Sequence, residues 1–336
     1  MTKNEQWIIA AQPIGRPLKE TDFERKTVEI AKPGKEEVLL KTLYFSNDPA
    51  QKGWMENTGG YMAPLHVGDV MRASGIAQVV ESKSPDFKKG DTVSGLIGWQ
   101  TYPTVAASEL TKIENDHLIT GNLSILGGTG MTAYFGLFDL GKPVAGDTVV
   151  VSGAAGATGC VVGQLAKFAG CRTIGIAGGP EKCAWLTEEV GYDEAIDYKN
   201  ENVKERLQEL CKDSVDVFFD NVGGQILDDV LGEIAMKARV VICGGIARYE
   251  AEEMPPGPQN YFNVVFKRAT IEGFIVLDYI PQFPAAQKRI RKWIDNGDLV
   301  FREDIQEGFE NAPKTLMRLF TGKNFGKQLL KIADQD

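Results

Sequence analysis

Histidine is nearly absent: His66 and His117 are the only two in 336 residues. Neither stands in a His-x-x-x-His spacing or in a Cys/His cluster, so no metal site is expected. The five cysteines, Cys160, Cys171, Cys183, Cys211 and Cys243, are odd in number, widely spaced and without a Cys-x-x-Cys pair. Reduced thiols explain that pattern better than a disulfide framework. Positive charge is in deficit, 37 Lys and Arg against 46 Asp and Glu, for a net charge of −9. This argues against a nucleic-acid partner and against an anionic membrane surface. Long apolar runs are missing too, since the least polar stretch, around 148–169, is interrupted by Gly, Ser, Thr and Gln. Met1 to Trp7 carry no apolar signal core, and the expectation is a cytoplasmic protein that meets no membrane. There are no repeats and no low-complexity segment.

What is present is ordinary in amount and specific in order. Apolar residues make up 43% and charged residues 25%, and the length suggests about two domains. From about 5 to 115, short apolar runs such as Glu37-Val-Leu-Leu-Lys-Thr-Leu-Tyr-Phe45 and Gly75-Ile-Ala-Gln-Val-Val80 alternate with Gly, Pro, Asn and Asp turns, an antiparallel β pattern. From about Leu126 strands and helices alternate, with strands expected at 148–153, 172–177, 215–219, 238–243 and 270–276 and helical spacing in Met131-Thr-Ala-Tyr-Phe-Gly-Leu-Phe138. The expected class is α/β, a doubly wound parallel sheet over 126–300 with a β-rich domain over 1–125 and 301–336. The tail offers a helix near Ala312 to Thr321 and a final strand, Lys327 to Ile332, better suited to the β-rich domain than to the parallel sheet.

The most informative segment is Thr148-Val-Val-Val-Ser-Gly-Ala-Ala-Gly-Ala-Thr-Gly159. A β-branched run leads into Gly153, Gly156 and Gly159 and then into an apolar helical stretch, the layout of a strand, a tight turn and a helix that together receive a pyrophosphate. Side chains would block that approach. The next strand ends in Gly178-Gly-Pro-Glu-Lys182, where Glu181 is the only acid nearby and lies beyond the strand tip. An acid at the tip would repel a 2′-phosphate, whereas Lys182 pairs with one, so NADPH is expected over NADH.

These motifs, with Asp220-Asn-Val-Gly-Gly224, Cys243-Gly-Gly-Ile246 and Gly322-Lys-Asn-Phe-Gly-Lys-Gln328, resemble the zinc-independent medium-chain dehydrogenase/reductases over essentially the whole chain. Tyr44-Phe-Ser-Asn-Asp-Pro49, Gly53-Trp-Met55, Gly130-Met-Thr-Ala-Tyr-Phe-Gly-Leu137 and Glu272-Gly-Phe-Ile-Val276 narrow the resemblance to the NADPH-dependent 2-alkenal, prostaglandin and curcumin reductases. The resemblance implies a GroES-like catalytic domain beside a Rossmann domain, a homodimer, and a small enone as substrate. It implies a cofactor set of Met131, Thr132, Ala155, Gly156, Thr158, Gly159, Gly178, Lys182, Tyr198, Asn221, Cys243, Gly244, Phe274, Ile275, Val276 and Asn324. Tyr261 aligns with a tyrosine facing the substrate carbonyl, and Tyr61, on a glycine-rich loop, is the second catalytic candidate. Ala50 follows Pro49 where some alkenal reductases carry tyrosine, which points towards bulkier enones.

The implied reaction is hydride transfer to the β-carbon of an enone, with charge building on the carbonyl oxygen. Two alternatives stay open, a quinone reductase of the same fold and a non-catalytic NADPH-binding protein. Plain structural readings also stand beside the residues: Tyr261 stacking in a loop, Lys182 as an exposed helix lysine, Asn324 capping a turn.

Overall fold

The computed structural model describes residues 3–249, 251–253 and 256–335. Contacts divide the chain into two units, one running to Ser124 and resuming at Glu303, the other Ile125–Arg302. The first unit opens with β1 (Asn4–Ile9) paired antiparallel to β2 (Phe23–Val28). Five further strands follow: β3 (Glu37–Ser46), β4 (Ser74–Ser82), β5 (Thr92–Leu96), β6 (Thr104–Ala106) and β7 (Leu110–Lys112). Leu40 and Phe45 of β3 lie in a core that also holds Trp99, Leu316 and Leu330. Each such side chain contributes about 1.5–3 kcal/mol relative to exposure.

The second unit is built on six parallel strands: β8 (Thr148–Ser152), β9 (Arg172–Ala177), β10 (Glu194–Asp197), β11 (Val215–Asp220), β12 (Ile234–Ile242) and β13 (Thr270–Gly273). Their order is β10-β9-β8-β11-β12-β13, every pair parallel. All five residues of β8 are buried, as a central parallel strand with helices on both faces requires. Helices Gly159–Phe168, Val203–Cys211 and Gly224–Leu231 make the crossovers. The chain winds outward from β8 in one direction and from β11 in the other, so winding reverses between these neighbours, the point where open α/β sheets bind ligands.

Two expected strands differ in extent. β12 begins at Ile234, four residues before the expected start, and the strand expected over 270–276 stops at Gly273. Phe274 leaves the sheet to pack on Gly136, where an added Cβ would lie 2.6 Å from the Phe274 ring. The helical spacing from Met131 is a helix over Gly128–Phe135 that continues into a π-helical turn, Gly136–Gly141.

The chain then returns to the first unit with β14 (Glu303–Glu307) and β15 (Lys327–Lys331). β15 pairs parallel to β14 and antiparallel to β3, inside a seven-stranded sheet ordered β14-β15-β3-β4-β5-β7, with β6 on β3.

Candidate cofactor site

The C-terminal ends of the parallel strands carry most of the expected cofactor residues. After Ser152 the chain turns at Gly153 (φ +59°), a left-handed conformation that glycine adopts without strain. Ala155, Gly156 and Thr158 form the turn, and Gly159 opens the helix. A Cβ on Gly159 would fall 2.4 Å from the Gly153 carbonyl oxygen and 2.7 Å from Ala154 Cα, so backbone packs on backbone there. The N–H groups of Cys160, Val161 and Val162 in the first turn of the ten-residue helix already donate to the Gly156 and Thr158 carbonyls at 3.1, 3.1 and 3.0 Å, so what the helix start offers an anion is chiefly the positive end of its dipole. This cradle fits a pyrophosphate. Tyr192 braces it from the other side, its hydroxyl donating to the Gly159 carbonyl at 2.7 Å.

At the tips of β9 and β10 the structure brings Gly178, Lys182 and Tyr198 to one corner. Tyr198 donates its backbone N–H to the Ala177 carbonyl at 3.1 Å, and an added Cβ on Gly178 would touch the Tyr198 ring at 2.8 Å. Lys182 stands on the short helix Pro180–Trp185. The expectation that Glu181 is the only acid near this tip is corrected, because Asp197, distant in sequence, is drawn in when β10 pairs with β9. Its carboxylate accepts from the Gly179 N–H at 2.7 Å, the Lys199 N–H at 3.1 Å and the Asn200 amide at 2.7 Å. Burial opposes the charge, yet these donors outweigh it and hold the carboxyl below its ordinary value. Asp197 is therefore spent on shaping the corner.

Asn221 follows β11, with its amide donating to the Ser152 carbonyl at 2.7 Å and its N–H to the Ser152 hydroxyl at 2.8 Å. Cys243 and Gly244 follow β12, and both donate their N–H groups to the Asp220 carbonyl, at 2.9 and 3.1 Å. Phe274, Ile275 and Val276 follow β13. Met131 is buried on the helix Gly128–Phe135, and the Thr132 hydroxyl donates to the Gly128 carbonyl at 2.7 Å.

The remaining candidates are dispersed. Tyr261 sits in the 3-10 segment Gln259–Phe262, 60% exposed, edge-on to Phe262 and with no hydrogen-bond partner for its hydroxyl among the described residues. Tyr61 and Asn324 belong to the first unit. The Tyr61 oxygen accepts the Trp54 indole N–H at 2.8 Å, and the Asn324 amide donates to the Gly326 carbonyl at 3.1 Å. Sequence reasoning missed the roles of Ser152, Tyr192, Asp197 and Asp220, each of which has a hydrogen-bond partner on another strand or strand-end segment. The one available signal was an acid and a hydroxyl at the ends of adjacent β-branched strands.

A reversing six-stranded parallel sheet with a glycine turn at its crevice, joined to a separate β-rich unit, defines a dinucleotide-fold oxidoreductase architecture. Residues 5–113 match the family described as the N-terminal domain of oxidoreductase, and residues 157–292 the family described as zinc-binding dehydrogenase. The chain is 38% identical over 340 residues to an NADPH-dependent curcumin reductase of Escherichia coli, covering 99% of this chain and 98% of the relative. It is 38% identical over 337 residues to an NADP(+)-dependent 2-alkenal reductase of Nicotiana tabacum, 98% of each. The solved structure of CurA from Vibrio vulnificus in complex with NADPH matches at TM-score 0.93 and 35% identity, over 98% of this chain and 99% of that one. The chain belongs to the medium-chain dehydrogenase/reductase family, in the branch that holds these reductases. One family description names zinc, but no group of three or more His, Cys, Asp or Glu among the described residues is placed to hold a metal ion. The donor set does not fit that metal, and no chemical step is assigned to it.

Proposed function

We propose that this chain reduces the carbon–carbon double bond of α,β-unsaturated ketones or aldehydes at the expense of NADPH. The observation that carries this reading is full-length identity, 38% across 99% of the chain, to an enzyme named for NADPH-dependent reduction of curcumin. Equal identity to one named for 2-alkenals supports the same chemistry. Bound NADPH supplies a hydride to the carbon β to the carbonyl.

The chain's own part is to bind, orient and supply hydrogen bonds. The turn around Gly156 and the positive end of the following helix receive the pyrophosphate, while Lys182 and Tyr198 hold the 2′-phosphate. Asn221, Cys243, Gly244 and the backbone of Phe274 to Val276 face the nicotinamide end, with Met131, Thr132 and Asn324 completing the cofactor contacts. Charge that develops on the substrate carbonyl oxygen needs a donor, and Tyr261 is the proposed one because its hydroxyl is uncommitted. Tyr61 is the competing donor. Ala50, in place of a bulkier residue after Pro49, suits larger enones.

The proposed assembly is a homodimer in the cytoplasm. β13 is the edge of the parallel sheet, all four of its residues are exposed, and Phe262, Val265 and Phe266 nearby are more than half exposed. Such an edge invites cover by another strand, here that of a second copy. No helix among the described residues is long and apolar enough to cross a membrane.

The deciding experiment follows NADPH oxidation with an enone, with a quinone and with no acceptor. Turnover confined to the enone is expected. Turnover of the quinone alone would replace the reading with a quinone reductase, and tight NADPH binding without turnover of either would make the chain a non-catalytic binder.

A further inference from the structure

Asp220 is fully buried at the end of β11, and no cation pairs with it among the described residues. A carboxylate in that setting is expensive unless hydrogen bonds compensate its lost hydration. Its carboxylate oxygens accept from three donors. The Ser152 hydroxyl reaches Oδ1 at 2.7 Å, the Val222 N–H reaches Oδ1 at 3.0 Å, and the Gly223 N–H is shared between Oδ1 at 3.0 Å and Oδ2 at 3.1 Å. The fourth link is indirect: Ser152, while donating to Asp220, accepts the Asn221 N–H at 2.8 Å. The backbone carbonyl of Asp220 adds the N–H groups of Cys243 and Gly244.

One residue thereby links the end of β8, immediately before the turn at Gly153, with the loop of Asn221 to Gly223 and the loop of Cys243 and Gly244. It touches none of the adenosine corner, where Asp197 instead accepts from Gly179, Lys199 and Asn200, the neighbours of Gly178 and Tyr198. Burial raises the proton affinity of Asp220 above its ordinary value, and the hydrogen bonds from Gly223, Ser152 and Val222 offset part of that rise.

We propose that Asp220, acting through Ser152, is a positioning residue that sets the register of the pyrophosphate and nicotinamide loops and leaves the adenosine 2′-phosphate corner alone. This deepens the NADPH reading and rests on it. A residue that merely caps the helix Gly224–Leu231 would support the whole unit evenly, and its loss would not distinguish one end of the cofactor from the other.

The test measures binding alone, with no enone present, so its outcome is separate from whether the chain reduces double bonds. Ser152→Ala and Asp220→Ala are titrated with NADPH and with adenosine 2′-monophosphate, a fragment carrying only the corner that Asp220 does not touch, and apo melting temperatures are recorded. Ser152→Ala is expected to raise the NADPH dissociation constant about tenfold and Asp220→Ala further, while the fragment's constant stays within about twofold of wild type. Lys182→Ala is the opposite control, weakening both ligands. Parallel weakening of NADPH and fragment in the Ser152 and Asp220 variants, or unchanged NADPH binding, would overturn the proposal. If Asp220→Ala does not fold, Ser152→Ala alone decides, because it leaves the carboxylate and its loop bonds in place.

Discussion

The strand-end loops of the parallel sheet and the segment around Tyr61 present their groups by opposite means. At the first, backbone does the work: Gly159 packs so closely on Gly153 that a methyl group would meet its carbonyl oxygen at 2.4 Å, and buried Ser152 and Asp220 tie the loops together. At the second, side chains do the holding. Asn57 brackets Leu65 through both amide atoms, at 2.9 and 2.8 Å, Trp54 donates to Tyr61, and the Arg72 guanidinium lies 5.8 Å from the Trp54 ring centre. Tyr61 remains 39% exposed, and its chain neighbours Gly60 and Met62 line, with Trp54, a hollow of about 200 Å³. A site made of backbone tolerates few residue types, whereas one made of exposed side chains tolerates many.

The sharpest way to break this contrast is Gly159→Val. The added atoms cannot be placed without moving the turn, so NADPH affinity should fall by at least about a hundredfold, with a loss of about 1–3 kcal/mol in stability. Direct titration and thermal melting read both, and retained affinity would mean the turn is not a backbone-built site. Next in size is Tyr261→Phe, expected to lower kcat about ten- to a thousandfold with NADPH affinity and melting temperature near wild type. Tyr61→Phe runs beside it, and whichever variant keeps full activity loses its claim as donor.

Lys182→Ala should raise the NADPH Michaelis constant about tenfold and leave NADH use nearly unchanged, since only the 2′-phosphate loses its partner. Equal losses with both cofactors would remove the phosphate role. A smaller effect, on stability rather than binding, is expected in the β-rich unit. Burial opposes the Asp304 charge, but Arg318 at 2.7 Å, Gln306 and the Phe325 N–H outweigh it and hold the carboxyl below its ordinary value. A depressed folded value contributes stability that is present above the unfolded value of about 4 and is lost as pH falls through the folded one. Arg318→Ala should therefore flatten the acid limb of the melting curve below about pH 4 and cost about 1–2 kcal/mol at neutrality. An unchanged acid limb would show that the pair does not set it. Smallest of all is chelation: prolonged treatment with a metal chelator should leave turnover unchanged, and activity that vanished and returned with zinc would contradict the donor set.

How much was legible follows the same division. The run Thr148-Val-Val-Val-Ser and its glycines announce a buried parallel strand and its turn because both demand particular residue types over a few neighbouring positions. Asp197 escaped notice because it reaches Gly179 only after β10 pairs with β9, and Glu194-Ala-Ile-Asp197 is too short and mixed to read as a strand. The Ser152–Asp220 contact joins residues 68 apart in the chain, beyond any local pattern. β12 extends further back than its sequence pattern suggests because Lys237 separates Ile234-Ala-Met236 from the later apolar run, and β13 stops earlier because the apolar Phe274-Ile-Val276 continues after the ladder ends. For Tyr261 and Tyr61, sequence supplies a residue type on a turn-rich segment, and geometry adds that the Tyr61 oxygen accepts the Trp54 indole N–H.

β15 has a consequence for how the molecule is made. It lies between β14 and β3 in the seven-stranded sheet, yet its residues are translated some 280 positions after those of β3. While the ribosome is still producing the tail, β3 has no neighbour along the edge that β15 will fill, whereas residues 125–302 are already complete. The parallel-sheet unit can therefore finish folding during synthesis, but the β-rich unit must wait for the last few dozen residues, with an open strand edge exposed in the meantime. Chaperone demand and aggregation during expression should accordingly track the N-terminal third of the chain, and a ribosome stalled before residue 327 would hold a folded nucleotide unit beside an unfinished sheet.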